Sequence, residues 1–322
     1  EFRRVLFRSG VNPSGAISAH SGVGGGAASG PPAGDDGDIW TIGRVLRWTQ
    51  GRFSARGLLS PRLDAELLLA HTLGRPRVAL YTHFDQPLTK AELASFRDCI
   101  VRRLAGTPVA YLIGEKEFYG LTLHVNEAVL VPRPETELLV DWALELLPAD
   151  GEAEVADLGT GSGAIALALQ RERPRARITA TDASAAALDV ARANAARLAP
   201  AVTFAQGDWW AALKGCRFSL VVSNPPYVAG DDPHLAALRH EPRAALTPEG
   251  DGLAALRQIV DGAAAHLLPG AWLLLEHGHD QAAAVADLMA KRGFVATSTR
   301  TDLAGLPRCT GGRRAAATPG AN

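Results

Sequence analysis

The sequence predicts an α/β fold: a mostly parallel sheet covered by helices on both faces, preceded by a small all-helical domain and a β-hairpin linker. Two patterns predict it. From about Pro134 onward, short apolar runs alternate with helical stretches, as parallel strands joined by crossover helices require. Between residues 39 and 107, only helix-period apolar spacing and helix-capping signals occur. A chain of 322 residues that is 47% apolar is also long enough for about two domains, each with its own core.

Residues 1–38 are set aside from the fold. They begin with Glu1, and the cluster Arg3, Arg4 and Arg8 is not followed by the roughly 7–15-residue apolar core of a signal peptide. The rest of this stretch is rich in Gly, Ser, Ala and Pro, which cannot offset its own ordering entropy. It reads as a disordered extension or a sequence artefact. In the helical domain (39–107), Asp38 or Thr41 caps a first helix that runs to Trp48. Ser60-Pro61 opens a second helix, with Leu63, Leu67 and Ala70 at helical spacing. Thr89 starts a third, completes a capping box with Glu92, and carries Leu93, Phe96, Ile100 and Leu104 on one stripe. Residues 108–133 hold short apolar stretches about Tyr119-Gly120 and read as the hairpin linker. Residues 134–314 form the α/β domain, with strands at 154–158, 176–181, 202–206, 218–223, 272–276 and 294–299. Helices lie at 164–172, 184–198, 253–267 and 281–292, and residues 315–322 read as a disordered tail.

Composition excludes several classes. Lys plus Arg number 33 and Asp plus Glu 34, a net charge of −1, which argues against a strongly basic nucleic-acid binder but not against a local basic patch. No apolar run approaches the ~18 residues of a membrane span, so a cytoplasmic location is expected. Cys99, Cys216 and Cys309 lie far apart and form neither a disulfide framework nor a CxxC metal pair, so no metal site is expected.

The first strand of the α/β domain closes on Asp157-Leu-Gly159-Thr160-Gly161-Ser162-Gly163. Glycines let a backbone turn sharply and approach a ligand, and the following helix presents free N–H groups and a positive dipole end. Nineteen residues past Gly163, Asp182 ends the second strand, where a carboxylate can accept from both hydroxyls of a ribose. Loop and acid suit a nucleoside-bearing cofactor: S-adenosylmethionine, or a nicotinamide or flavin dinucleotide, since Gly159-x-Gly161-x-x-Ala164 also satisfies that fingerprint. A structural glycine turn is the remaining alternative. Asp157 favours the first, because a carboxylate facing the loop neutralises an amino group but repels a pyrophosphate.

The strand 218–223 ends in Asn224-Pro225-Pro226-Tyr227, at the end of a parallel strand where open α/β sheets bind ligands. Prolines fix φ and offer no N–H, so the carbonyls here are rigid acceptors. Asn224 adds a side-chain acceptor and Tyr227 an aromatic face. This fits the activation of a planar –NH2 group, as in an amide or adenine. The Asn224 side-chain oxygen and the Pro225 carbonyl hold its two hydrogens, aim the nitrogen lone pair at a methyl sulfonium, and stabilise the positive charge that develops. No strong base is required. The other reading is a turn that merely ends the strand.

Together these residues resemble the class I S-adenosylmethionine-dependent methyltransferases that act on amino groups, and more closely the PrmC/HemK family. The resemblance runs from about Ile39 to Arg314. It includes Arg62-Leu-Asp-Ala-Glu-Leu-Leu-Leu69, Pro108-Val-Ala-Tyr-Leu-Ile-Gly114, Glu117-Phe-Tyr-Gly120 and Val131-Pro-Arg-Pro-Glu-Thr-Glu137. Asp157 to Gly163, Asp208-Trp209, Ser223 to Tyr227, Glu241-Pro-Arg243 and Leu306-Pro-Arg308 complete it. It implies a Rossmann-like, mostly parallel seven-stranded sheet and methylation, from S-adenosylmethionine, of the glutamine side-chain nitrogen in the Gly-Gly-Gln motif of class 1 peptide-chain release factors. It places cofactor contacts on Gly159, Thr160, Gly161, Ser162, Gly163, Asp182, Trp209 and Asn224. It places catalytic and substrate contacts on Asn224, Pro225, Pro226 and Tyr227. It further suggests an indole of Trp209 against adenine, Phe118 as an aromatic wall of the glutamine pocket, and Arg133 and Glu135 as a brace between domains. The extension, the missing initiator Met and the tail depart from the family pattern.

The main alternative is an adenine-amino methyltransferase on DNA or RNA, which uses the same Asn-Pro-Pro-Tyr chemistry but must extract its base and grip phosphates. The near-neutral charge and small helical domain favour a protein partner and no direct nucleic acid. A dinucleotide dehydrogenase leaves Asn-Pro-Pro-Tyr unexplained, and a cofactor-binding module without catalysis is disfavoured by the intact Asn224, Asp182 and glycine loop.

Overall fold

The computed structural model describes residues 39–316, so the expectations for 1–38 and for 317–322 lie outside the described residues. The chain divides into two compact units between Leu104 and Ala105.

The first unit is helical. Helix α1 (Ile42–Ala55) starts at Thr41, whose side chain accepts from the Arg44 N–H at 3.3 Å. It runs past the expected end at Trp48, because Thr49 and Phe53 continue the buried face of Ile42, Val45 and Leu46. Helix α2 (Pro61–Leu73) ends on Gly74 in the left-handed region. Its buried face differs from the expected stripe. Leu63 is exposed, and Ala65, Leu68 and Leu69 are buried, together with Asp64 and Glu66. Arginines make that burial tolerable. Arg103 pairs with Asp64 at 2.9 Å, and Arg62 and Arg77 reach Glu66 at 2.8 and 2.6 Å. Tyr81 also donates to Glu66, holding its carboxyl below the usual range despite the cost of burial. Tyr81 lies on α3 (Arg77–Thr82), which the sequence reading passes over. Helix α4 (Lys90–Leu104) opens on the expected capping box. The Thr89 N–H donates to Glu92 at 2.7 Å and the Glu92 N–H to the Thr89 hydroxyl at 3.2 Å.

The second unit begins with α5 (Val109–Ile113) and a hairpin of β1 (Glu115–Phe118) and β2 (Leu121–His124). Its two-residue turn, Tyr119-Gly120, has both φ values positive, the mirror-image turn that suits strand twist. The hairpin is packed rather than free. Phe118, Leu121 and Leu123 join the buried cluster under α6 (Glu137–Leu146). Asn194 of α8 (Ala185–Leu198) ties the hairpin to the glycine loop, bonding the His124 N–H at 2.7 Å and the carbonyls of His124 and Ser162 at 2.9 Å.

The remaining elements form a seven-stranded sheet. They are β3 (Glu154–Leu158), α7 (Ala164–Glu172), β4 (Arg177–Asp182), β5 (Thr203–Gln206), β6 (Phe218–Ser223), α9 (Arg243–Leu246), α10 (Ala254–His266), β7 (Leu267–Glu276), α11 (Ala282–Lys291), β8 (Phe294–Thr301) and β9 (Pro307–Arg314). The order is β5-β4-β3-β6-β7-β9-β8, parallel except for β9, which is antiparallel to both neighbours. Alternate residues face opposite cores, as the strand period demands. Val155, Leu220, Val222 and Leu274 pack with α6, α7 and α8, whereas Ala156, Val221, Leu273 and Leu275 pack with α10 and α11. The chain leaves β3 toward β4 and β5, then crosses back to β6 on the other side of β3. The carboxyl ends of β3 and β6 thus flank the switch point, where ligands bind.

Strand β9 is absent from the element-by-element reading because its sequence has two glycines and three arginines. Packing selects the glycines. A Cβ on Gly311 falls 2.5 Å from Leu274 and 2.7 Å from Trp142. Gly311→Val is therefore expected to destabilise the protein by about 1–3 kcal/mol through overpacking. A thermal melt checks this, and an unchanged Tm refutes the close-approach argument.

Candidate active site

The glycine loop joins β3 to α7. Gly159, Gly161 and Gly163 have φ of 72, 55 and 86°, so an L side chain is strained at each, and Gly163 is the N-terminal cap of α7. The Thr160 N–H donates to the Thr181 carbonyl at 2.8 Å, tying the loop to β4. Half-buried Asp182 ends β4. One carboxylate oxygen accepts from the Gly161 N–H and the other from the Ser184 N–H, both at 2.9 Å. Each oxygen keeps a lone pair for a hydroxyl donor.

Contrary to the expectation from the sequence, Asp157 does not face the ligand side of the loop. It is fully buried and braces the loop from behind, accepting from the Thr160 hydroxyl at 2.6 Å and the Ala166 N–H at 3.2 Å. Burial pushes its carboxyl up to about 7. The two hydrogen bonds oppose this and Asp182 adds to it. A raised folded pKa gives a stability contribution that is full below the unfolded value near 4 and lost as pH rises through about 7. Asp157→Asn removes this loss, so its Tm relative to wild type is expected to rise between pH 5 and 8. A Tm difference that is flat with pH rules the account out.

Trp209 opens a short 3-10 turn with φ of 44°, a left-handed conformation that a bulky residue rarely adopts. Its indole N–H donates to Gln258 at 2.8 Å, and its ring edge lies 3.4 Å from a Cβ built on Gly159. The ring thus forms a wall over the glycine loop. Neighbouring Trp210 is structural, stacked on His266 with its N–H on the Ile259 carbonyl at 3.1 Å.

Asn224 follows β6. Its amide nitrogen donates to the Thr136 hydroxyl at 3.1 Å, leaving the amide oxygen for an incoming donor. Pro225 is buried and Pro226 is half-buried. The Tyr227 hydroxyl donates to Glu276 at 3.3 Å, and the Tyr227 carbonyl accepts from the Gln281 amide at 2.9 Å. Burial, first, and the Glu276 charge push the Tyr227 phenol well above its ordinary range, so it stays protonated.

A cavity of about 410 Å³ brings the parts together. Its walls include Gly159 to Ser162, Asp182, Trp209, Asn224 and Pro226. The volume lies within the range of small-molecule sites, roughly 300–1,000 Å³. A glycine cradle at a helix N-terminus, a carboxylate with spare acceptors and a flat aromatic wall suit an adenosine-bearing cofactor. Gly163, Pro225 and Tyr227 are not cavity walls but hold the neighbouring backbone. Phe118 is not brought to the cavity: it is 1% exposed in the core, facing Leu121 across the hairpin. Arg133 reaches the cavity wall within the second unit, where Glu241 clasps it at 2.5 Å and also accepts from the Val131 N–H. Thr136 and Asp208 also line the cavity and are missing from the sequence-derived site. Asp208 stands directly before Trp209, so adjacency could have found it. Thr136 meets Asn224 across 88 residues, which no spacing rule reveals.

Fold and cavity define a class I S-adenosylmethionine-dependent methyltransferase. Residues 136–273 match the methyltransferase small domain, and residues 44–114 match the PrmC N-terminal domain. The release factor glutamine methyltransferase of Burkholderia pseudomallei is 53% identical over 260 residues, covering 78% of this chain and 91% of that one. The enzyme of the same name from Xylella fastidiosa is 54% identical over 255 residues, covering 78% and 93%. The crystal structure of a release-factor-specific protein-(glutamine-N5) methyltransferase from Alicyclobacillus acidocaldarius is 32% identical, covers 60% of this chain and 99% of that one, and has a TM-score of 0.39. The chain belongs to the release factor glutamine methyltransferase family. Among the described residues, no helix is long and apolar enough to cross a membrane, and no cluster of His, Cys, Asp and Glu could hold a metal ion.

Proposed function

We propose that this enzyme methylates the side-chain amide nitrogen of the glutamine in the Gly-Gly-Gln motif of class 1 peptide-chain release factors. The observation that carries the reading is the orientation of Asn224. Its nitrogen is engaged by Thr136, so its oxygen is free to accept at the cavity wall. Bound S-adenosylmethionine supplies an electrophilic methyl group on a sulfonium. Gly159, Thr160, Gly161 and Ser162 would cradle the cofactor, with Gly163 closing the turn behind them, while Asp182 would accept from its ribose, Trp209 would face its base and Asn224 would border it. The Asn224 oxygen and the Pro225 carbonyl hold the two hydrogens of the substrate amide and orient its nitrogen. As positive charge builds on that nitrogen, these fixed acceptors stabilise it. The methylated nitrogen is then acidic enough to release a proton without a strong base. Pro226 and Tyr227 shape the pocket that receives the glutamine.

In the same reading, residues 39–107 recognise the protein substrate, residues 108–133 link them to the methyltransferase domain (134–314), and the reaction runs in the cytoplasm without direct nucleic-acid binding. The test is methyl transfer from radiolabelled cofactor to purified release factor, to a variant with the Gly-Gly-Gln glutamine replaced by alanine, and to unmethylated DNA and RNA. Label on the intact release factor alone is the expected result. Label on nucleic acid overturns the reading and moves the protein to adenine modification.

A further inference from the structure

An amide can present either its oxygen or its nitrogen to a substrate, and for Asn224 only the oxygen is useful. The residues behind it decide which. Glu276 ends β7, and the parallel register sets Leu275 opposite Ser223, which brings Glu276 beside Asn224. Glu276 is 1% exposed. The Tyr227 hydroxyl donates to Oε1 at 3.3 Å, and the Thr136 hydroxyl lies close enough to the carboxyl to oppose the effect of burial on its titration. Thr136 closes the 3-10 turn Pro134–Thr136 and is itself buried. A hydroxyl has one hydrogen and two lone pairs. Once the Thr136 hydrogen is committed to a carboxylate, the oxygen can only accept from Asn224. That is the bond observed, with Asn224 Nδ2 donating at 3.1 Å.

We propose that Glu276 and Thr136 form a relay that fixes which end of the Asn224 amide meets the substrate, making both positioning residues for methyl transfer. In this relay the hydroxyl hydrogen goes to the carboxylate and the amide hydrogen to the hydroxyl, which leaves the Asn224 oxygen for the cavity. Tyr227 draws on the same carboxylate, so one buried acid orients both functional side chains of the Asn-Pro-Pro-Tyr segment. Burial, only partly offset by the two hydroxyls, pushes the Glu276 carboxyl up to about 7, and the group retains an oxygen with no hydrogen-bond partner.

The inference rests on the reading of Asn224 as the substrate acceptor, and the experiment separates the two. The full-length enzyme is compared with Thr136→Val, Thr136→Ser, Asn224→Ala and the double variant Thr136→Val/Asn224→Ala. The measurements are kcat and KM for release factor and Kd for S-adenosylmethionine. Thr136→Val keeps the shape but removes the hydroxyl. It is expected to lower kcat by about 10- to 100-fold, the scale of a misoriented catalytic group, with KM and Kd within about threefold of wild type. Thr136→Ser restores most of the rate. Because Thr136 acts through Asn224, Thr136→Val costs nothing further in the Asn224→Ala background. A wild-type kcat for Thr136→Val, a serine variant as slow as valine, an additive double variant, or a loss dominated by cofactor affinity each overturns the relay and leaves the role of Asn224 standing. A wild-type rate for Asn224→Ala overturns the underlying reading itself.

Discussion

Asn224→Ala is expected to lower kcat for methyl transfer by about 10²–10³-fold, or ~3–4 kcal/mol of transition-state stabilisation, the usual cost of one preorganised group at a site of developing charge. The argument is one of differential binding. The substrate amide is neutral in the ground state and gains positive charge only as the new bond forms, so its acceptors act mainly on the transition state. The loss should therefore appear in kcat more than in KM. Alanine also leaves the Thr136 hydroxyl without its amide donor, in a buried position. Asn224→Asp is the informative companion. It keeps an acceptor toward the cavity but loses the amide hydrogens that bind Thr136, so it should be slow despite retaining its oxygen. Single-turnover measurement with saturating cofactor reads both. An alanine variant within about threefold of wild type shows that the Asn224 oxygen is not the acceptor.

What could be read from the sequence was whatever depends on near neighbours. The capping box at Thr89, the bounds of α7 and the end of β6 at Ser223 follow from residues within a few positions, and the structure has them there. The glycine loop and Asp182 lie 19 residues apart in sequence but on adjacent parallel strands, so the βαβ unit brings them together. Other features depend on partners distant in the chain. Thr136, Asn224 and Glu276 come from three separate elements: sheet register sets Glu276 beside Asn224, and the turn before α6 brings Thr136 to it. Strand β9 reads as a loop because its glycines serve Trp142 and Leu274 rather than strand propensity. The apolar spacing of α2 puts Leu63 on the buried stripe and leaves out Asp64 and Glu66, which arginines from elsewhere in the first unit make buried residues. Phe118 was assigned to a pocket, but hairpin alternation turns it into the core.

Charge carries a related lesson. The whole chain has a net charge of −1, but residues 39–104 contain eleven Lys and Arg against five Asp and Glu. The overall balance thus hides a basic helical unit, and the near-neutral total is no argument about what that unit contacts. An acidic face on a protein partner satisfies it as well as phosphate does. The choice between them rests on the family and on the labelling experiment, not on the charge sum.

Asp182→Ala is expected to weaken S-adenosylmethionine binding by about 1.5–3 kcal/mol, roughly a 10- to 150-fold rise in Kd, through lost charge-assisted hydrogen bonds. Two effects of the same carboxylate add here. In the proposed site it offers spare acceptors to the ribose, and in the structure it holds the N–H groups of Gly161 and Ser184 at 2.9 Å, fixing the loop and the start of α8. Asp182→Asn separates them. One acceptor oxygen survives while the charge and the second acceptor are lost, so an intermediate Kd is expected. Because the cofactor ribose carries no charge that changes during transfer, these contacts bind ground and transition states alike. At saturating cofactor kcat should then stay within a few-fold of wild type, opposite to Asn224→Ala. Calorimetric titration gives Kd and a saturated assay gives kcat. An unchanged Kd removes Asp182 from the cofactor site. A kcat that falls with an intact Kd means instead that its grip on Gly161 serves the alignment of the methyl group.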